Sequence, residues 1–390
     1  MIEKTVLDFQ PASLRSPKPD TLLAMPRKRK QAEAHFRLLC SLGLDSQTLM
    51  PALVKNLREI VPNTGCCLVW CNRDLEITNA YMEPQDPKLA ALYYTEFHNN
   101  RREREFIVTL DEGLRLPGLV RRSHEILKVS WREFKRSDFY NIFWRLGNWN
   151  HVLGMKITDG DELLGSMTLL RTSAEQDFSE TEVRALKTLL PHLGHAMAVD
   201  KAYEGPWVDS DDAGLIVLDT LGHIQHMSPV ARTLITHAAH PVINPSEYRH
   251  MSALGDVEGL LRGLCHDLSA IARGRGTPAP PVARVHNSWG RFTFRAYWLD
   301  AMGPEGTTLI GVSVQRQEPL ALRLMRATSK FPLSPRERQI CLHMAHGLSY
   351  VEIARRLDRS ERTVVTHTQH IFEKLEVNSR RELFDRLMLM

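Results

Sequence analysis

The sequence predicts an α+β protein, with two antiparallel-sheet modules in tandem followed by an all-α domain of four short helices. Three observations carry this. Residues 331–390 crowd four helix-start signatures into one short stretch, which leaves room only for tight turns between helices. Upstream, short strand-like segments joined by turn residues occur in two separate groups. The 390 residues are 43% hydrophobic and 25% charged, the make-up of an ordinary globular chain of two or three domains.

The chain opens on a stretch broken by Pro11, Pro17, Pro19 and Pro26, so residues 1–31 are expected to be a flexible basic tail. Its cluster Pro26-Arg27-Lys28-Arg29-Lys30 reads either as a solvated tail or as a phosphate-binding or localisation patch. From Ala32 to Ile60 the apolar residues Phe36, Leu39, Leu42, Leu49, Leu53, Leu57 and Ile60 recur with helical spacing. Pro62-Asn63-Thr64-Gly65 makes a turn. Cys66–Trp70 and Leu75–Tyr81 then form a hairpin around Asn72-Arg73-Asp74. Helix is expected around Leu89–Phe97 and over Ser123–Ser137. Asn150–Lys156 and Leu163–Arg171 pair as strands across Asp159-Gly160-Asp161. Ser179 with Glu182 is a capping box that starts a long helix. On that helix Val183, Leu186, Leu190, Leu193 and Met197 are spaced three, four, three and four residues apart. This is either a heptad seam for a helix-pair dimer or a stripe packed on the chain's own sheet.

Gly205-Pro206 and the acidic run Asp209–Asp212 are read as a linker. The second module begins with strands at Ala213–Leu218 and His223–Met227, then a helix opened by Ser228-Pro229. A further helix is expected over Asp256–Arg273, a Gly- and Pro-rich loop over 274–281, and strands at Val282–His286, Gly290–Leu299 and Thr307–Gln315. In the middle one Phe292, Phe294, Ala296 and Trp298 alternate with Arg291, Thr293, Arg295 and Tyr297, so one face is apolar. Pro319 starts a connector helix.

In the C-terminal stretch, Ser334 with Glu337, Ser349 with Glu352 and Ser379 with Glu382 have the spacing of capping boxes, and Ser360 is an N-cap. A short helix ending at Leu357, a turn at Asp358-Arg359 and a longer helix from Ser360 make a helix-turn-helix, the second helix of which enters the major groove of DNA. Val364, Ile371, Phe372 and Leu375 point inward. Arg362, Val365, Thr366, Gln369 and Glu373 therefore point outward.

This stretch resembles the LuxR-type, or GerE-like, DNA-binding domain. The matching residues are Leu333, Pro335, Arg336, Glu337, Gly347, Ile353, Ala354, Leu357, Ser360, Thr363, Val364, His367, Lys374, Leu375, Val377 and Arg380. The resemblance implies that Val365, Thr366 and Gln369 read base edges, and that Arg362, Thr363, His367, Lys374 and Arg380 suit phosphate. Relatives often carry Lys or Arg where this chain has Val365 and Gln369. That departure turns the expectation from guanine reading toward an A·T-tolerant site. The resemblance also implies a dimer contact on the last helix, where Leu383 and Leu387 are apolar. The segment GSMTLLRTSAEQDFSETEVRALKTLLPHLGHAM resembles the end of a GAF domain, and AGLIVLDTLGHIQHMSPVARTLI the opening of a PAS domain. The expected division is tail 1–31, GAF-like 32–204, PAS-like 205–318, connector 319–331 and LuxR-type 332–390.

Net charge is +4 overall, and residues 331–390 hold ten Lys/Arg against eight Asp/Glu, so any attraction to nucleic acid is local. A domain this small reads few bases, which implies two copies on two half-sites. The sequence has no Walker A motif and no Gly-x-Ser-x-Gly elbow, so it is not read as an enzyme. No cofactor or metal is expected. The pairs His192/His195, His237/His240 and His343/His346 lack a further ligand at recognisable spacing, and six cysteines in a long chain do not form a disulfide framework. No apolar run is long enough to span a bilayer and the first residues lack the layout of a signal peptide, so a cytoplasmic protein is expected.

Trp131, Phe139, Tyr140, Phe143, Trp144 and Trp149 cluster in the first module, with Trp70 and Tyr81 on the hairpin expected to face the same space. They form either a ligand pocket or a packed core. The expected function is a dimeric transcription regulator controlled by a small effector, with promoter or operator DNA and RNA polymerase as partners. The alternative is a regulator whose N-terminal modules only dimerise or recruit proteins.

Overall fold

The computed structural model describes residues 25–84, 87–98, 100–199, 203–245, 257–274, 281–300 and 308–389. Residues 1–24, Asn99, the expected helix start at Asp256, the loop 275–280 and the strand start at Thr307 lie outside them. The first module begins with α1 (Met25–Cys40) and α2 (Ser46–Ile60). Two expectations give way here. The tail does not run to residue 31, because α1 begins at Met25 and Pro26 falls in its first turn, where no backbone donor is needed. The helical stretch to Ile60 is two helices, broken at Gly43, whose φ of +63° suits glycine, and restarted by Asp45, which accepts the Gln47 and Thr48 N–H groups.

Strands β1 (Gly65–Cys71) and β2 (Ile77–Glu83) follow, then α3 (Pro87–Glu96), α4 (Arg101–Arg104), α5 (Leu110–Arg115), β3 (Val120–Arg122), α6 (Ser123–Ile126) and α7 (Trp131–Phe134). The single helix expected over Ser123–Ser137 is therefore two short turns. Leu127 leaves helical geometry, with ψ of 128°, to bridge Ile107. A π-helical turn at Phe139–Trp144, β4 (Trp149–Asp159), β5 (Glu162–Thr172) and α8 (Glu180–Met197) complete the module. The sheet order is β2-β1-β5-β4-β3, antiparallel throughout.

Strand alternation gives this sheet two faces. Leu68, Leu153, Ile157 and Leu169 are buried in the main core with residues of α1, α2 and α8. The other face meets a separate aromatic core drawn from the segment between β2 and β4. The heptad residues Val183, Leu186, Leu190, Leu193 and Met197 are 2–7% exposed. They are not a dimer seam: they belong to this main core, with α8 lying on β4 and against α1 and α2. Gly194 permits the approach, since a Cβ there would sit 1.9 Å from the Thr158 carbonyl oxygen.

The second module runs β6 (Trp207–Leu218), β7 (Ile224–Met227), α9 (Pro229–Ala239), α10 (Val257–Ala272), β8 (Val282–Asn287), β9 (Gly290–Leu299) and β10 (Leu309–Pro319). Its order, β7-β6-β10-β9-β8, repeats that of the first sheet. The acidic run expected as linker is part of β6. Asp209 accepts from Gln317, Asp212 pairs with Arg316, and Asp211 pairs with Arg326 at 2.7 Å and with Arg323. Phe292, Phe294 and Ala296 are buried and Arg291, Arg295 and Tyr297 exposed, as the alternation in β9 requires.

Trp70 and Tyr81 do not face the aromatic core of the first module. They lie on the other side of the sheet and meet the second module. Trp70 packs edge-on against Trp289 with ring centres 5.9 Å apart, and Tyr81 stacks at 5.9 Å on His237. His237 and Trp289 stack at 4.7 Å. Arg316 donates to both the Thr48 and Trp289 carbonyls, and Asn79 accepts the Ile243 N–H at 2.8 Å. Helix α11 (Leu320–Ser329) then carries Arg326, paired with the buried Glu318, toward the C-terminal domain. That domain is α12 (Pro335–Ala345), α13 (Tyr350–Arg356), α14 (Glu361–Leu375) and α15 (Arg380–Met388). Among the described residues no helix is long and apolar enough to cross a membrane.

Candidate nucleic-acid interface and ligand cavity

Each helix of the C-terminal domain starts where its cap residue stands. Ser334, Ser349, Ser360 and Ser379 all accept a backbone N–H three residues on. The boxes at Ser334 and Ser349 close fully. At Ser379 the Glu382 carboxylate instead takes the Asn378 N–H at 2.9 Å. Asp358, at φ +49°, turns the chain between α13 and α14, and Arg336 ties the turn by donating to the Leu357 carbonyl at 2.5 Å. Ile353, Ala354, Val364, Ile371 and Leu375 are buried between the helices, and Thr368 joins them by bonding the Val364 carbonyl.

The outward face of α14 is as patterned. Arg362, Thr366 and Gln369 are exposed and Val365 is half-buried. Thr366 donates to the Arg362 carbonyl, and Thr363 shares a 2.8 Å hydroxyl bond with the capping Ser360. His367 is half-buried, with Nδ1 turned inward and without a partner. The structure gives two of the residues expected at phosphate other work. Lys374 Nζ donates to both oxygens of the buried Glu337 at 2.8 Å. Arg380 donates to the Leu348 carbonyl at 2.6 Å and lies over the Tyr350 ring. Burial pushes the Glu337 carboxyl up, but Lys374 and the Ser334 cap outweigh it and hold it below its ordinary 4.5.

A basic group missed in the sequence reading stands beside this face. Arg355, Arg356 and Arg359 are exposed around the turn, next to Arg362, and none of the four has an ion pair among the described residues. The run Arg355-Arg356-Leu357-Asp358-Arg359-Ser360-Glu361-Arg362 was the available signal. Leu383 and Leu387, expected at a dimer contact, are fully buried inside the chain, where α15 packs on α11, α12 and α14. Glu337, His367 and His370 bring ligand atoms within 4.8 Å of one another. The Glu337 carboxylate is already spent on Lys374 and the Ser334 N–H, so the group serves the fold. The three His pairs form no such group among the described residues.

The second feature is a cavity of about 460 Å³ between the outer face of the first sheet and the segment joining β2 to β4. Phe139, Phe143, Trp144 and Trp149 line it. Trp131 and Tyr140 pack behind them, and Trp70 and Tyr81 lie elsewhere. Tyr93, not singled out from sequence, stacks on Phe143 at 5.1 Å and donates to the buried Glu103 at 2.7 Å. Cys67 lines the sheet side with its thiol pushed up to about 12 by burial, so it stays neutral. All six cysteines are free.

A short helix, a left-handed turn and a longer helix with an exposed polar face flanked by unpaired arginines define a DNA-binding helix-turn-helix domain. Residues 331–387 match the family described as bacterial regulatory proteins, luxR family, so this domain is of the luxR type. Over 65 residues the chain is 45% identical to the nitrate/nitrite response regulator protein NarL of Escherichia coli K12, and equally to that of strain O6:H1. The match covers 16% of this chain and 30% of the relatives' length. Among solved structures, the VqsR LBD domain from Pseudomonas aeruginosa overlays 46% of this chain and 98% of its own, at 14% identity and a TM-score of 0.30. The GAF domain/HD domain protein from Geobacter sulfurreducens overlays 40% and 97%, at 18% and 0.28. Overlays this loose carry no argument about function.

Proposed function

We propose that this protein is a transcription regulator that binds double-stranded promoter or operator DNA as a homodimer and answers to a small effector held in the cavity of its first module. Val365, Thr366 and Gln369 read base edges. Gln369 pairs with adenine, while Val365 and Thr366 pack on thymine methyls. Arg362, Thr363 and His367 meet phosphate, together with Arg355, Arg356 and Arg359. RNA polymerase is the protein partner such a regulator addresses. The observation that supports this reading most is the exposed face of α14 beside four arginines that have no ion pair among the described residues.

Dimerisation follows from the size of the reading head, since one recognition helix contacts few base pairs and two half-sites multiply the affinity. The copies must meet on a surface other than the α8 stripe or Leu383 and Leu387. Selection from random duplexes should return a two-fold symmetric site rich in A·T pairs, with affinity that falls steeply with salt. A thermal-shift screen of small metabolites, with DNA affinity as second readout, tests effector control. Absence of any stabilising compound, or stabilisers that leave DNA affinity unchanged, would sink it and leave modules that recruit proteins.

A further inference from the structure

Two cations contribute to the wall of the cavity. Arg121 on β3 and Lys156 on β4 both line it, and both are partly buried. Their contacts are with neutral oxygens. Arg121 donates to the Gly113 and Pro117 carbonyls at 3.0 and 2.5 Å, and Lys156 to those of Leu114 and Leu116 at 3.2 and 2.5 Å. Neither has an ion pair among the described residues. Two like charges drawn to one turn and lacking a carboxylate repel each other, which an anion between them would relieve. Burial, and then Arg121, pull the Lys156 ammonium below its ordinary value. The remaining lining is largely apolar, aliphatic and aromatic together, with the Phe143 ring in contact with both Tyr93 and Trp149. Thr168, with no hydrogen bond to its hydroxyl among the described residues, faces the same space from β5.

We infer that the effector is a small organic anion, an aryl or acyl carboxylate whose carboxyl group lies between Lys156 and Arg121 and whose apolar body lies against Tyr93, Phe143 and Trp149. The inference rests on the reading of the cavity as an effector site. The geometry divides the labour. The carbonyls of residues 113–117 hold the two cations in place, so binding the anion needs little rearrangement, and a charge-assisted bond in this setting is about twice as strong as a neutral one. A volume of about 460 Å³ falls within the range of small-molecule pockets. Glu103 and Glu83 line the cavity as well, but Glu103 is held by the Tyr93 hydroxyl and Glu83 by Arg58 and the Tyr81 hydroxyl, and as acids they disfavour an anion near their own wall.

The test uses the full chain and matched probes: 3-phenylpropionate and octanoate, their primary amides, and the corresponding amines. Calorimetric titration and thermal shift should show the acids binding at least about tenfold more tightly than the amides. Lys156→Met and Arg121→Gln should each remove most of that difference while leaving amide binding within about twofold. The comparison of acid with amide on the unmodified protein decides the matter even if a variant fails to fold. Amides or amines binding as well as acids would overturn the anion assignment and leave the cavity an effector site. Failure of all three probe sets to bind would overturn the cavity reading together with it.

Discussion

At the scale of single residues, the same side-chain types do different work according to what stands opposite them. Lys374 and Arg362 are both cations on α14, yet only Lys374 meets a carboxylate, and the pair it makes with Glu337 joins α14 to the first turn of α12. Glu337→Gln should lower stability by about 1–3 kcal/mol in denaturant titration, since it removes the ion pair and weakens the cap. The wild-type carboxyl titrates below its unfolded value, so it contributes stability above pH 4.5, and that contribution is lost as the pH falls through the lower folded value. The variant should lack this loss. Gln369 has no such structural duty, so Gln369→Ala should leave the melting temperature unchanged and weaken the selected site by about tenfold, with little effect on random DNA. An equal loss on both in anisotropy titrations would make Gln369 a phosphate contact.

At the scale of elements, a pattern in the sequence states which face of a helix is apolar but not what covers it. The three-four repeat in α8 is as regular as a dimer seam, and the chain's own core covers it. Leu190→Ala should therefore destabilise the folded chain by about 2–5 kcal/mol and leave the sedimentation-derived oligomeric state unchanged. A shift toward monomer without loss of stability would restore the seam. The same limit explains the aromatic cluster. Phe139, Phe143, Trp144 and Trp149 line the cavity, while Trp131 and Tyr140, equally aromatic and from the same short stretch, fill the wall behind them. Caps and hairpin turns were legible because their chemistry lies within a few residues. The break at Leu127 was not, because its partner Ile107 lies across the module.

At the scale of the whole molecule, the two sheet modules meet through a stack of rings that buries histidine. His237, between Tyr81 and Trp289, is pushed down to about 3 by burial and then by Arg316. His35 on α1 is pushed down to about 4 by burial, then by Arg338 and Arg326 from the C-terminal elements. Both bind protons more readily when unfolded, so stability should rise with pH across the interval below 6.5. Between pH 5 and 6.5 each ring should withdraw up to about 1.4 kcal/mol per pH unit. Urea titrations across that window check it, and His237→Phe should remove part of the slope while keeping a ring in the stack. A pH-independent stability over the window would contradict the burial of these rings.

The sequence by itself determined the local grammar of this protein: where its helices start, which side of α14 faces out, which residues alternate in β9, and that the last domain resembles one that binds DNA. Those features depend on neighbours a few positions away, so the order of residues suffices. Tertiary structure alone decided the rest. It repeated one strand order in two modules, sent Trp70 and Tyr81 to the second module instead of the cavity, and buried both candidate dimer stripes. It also left Arg121 and Lys156 together without an ion pair among the described residues. Each of these turns on which surfaces meet across long chain separations, and that follows from the packing of whole faces, which no local pattern records.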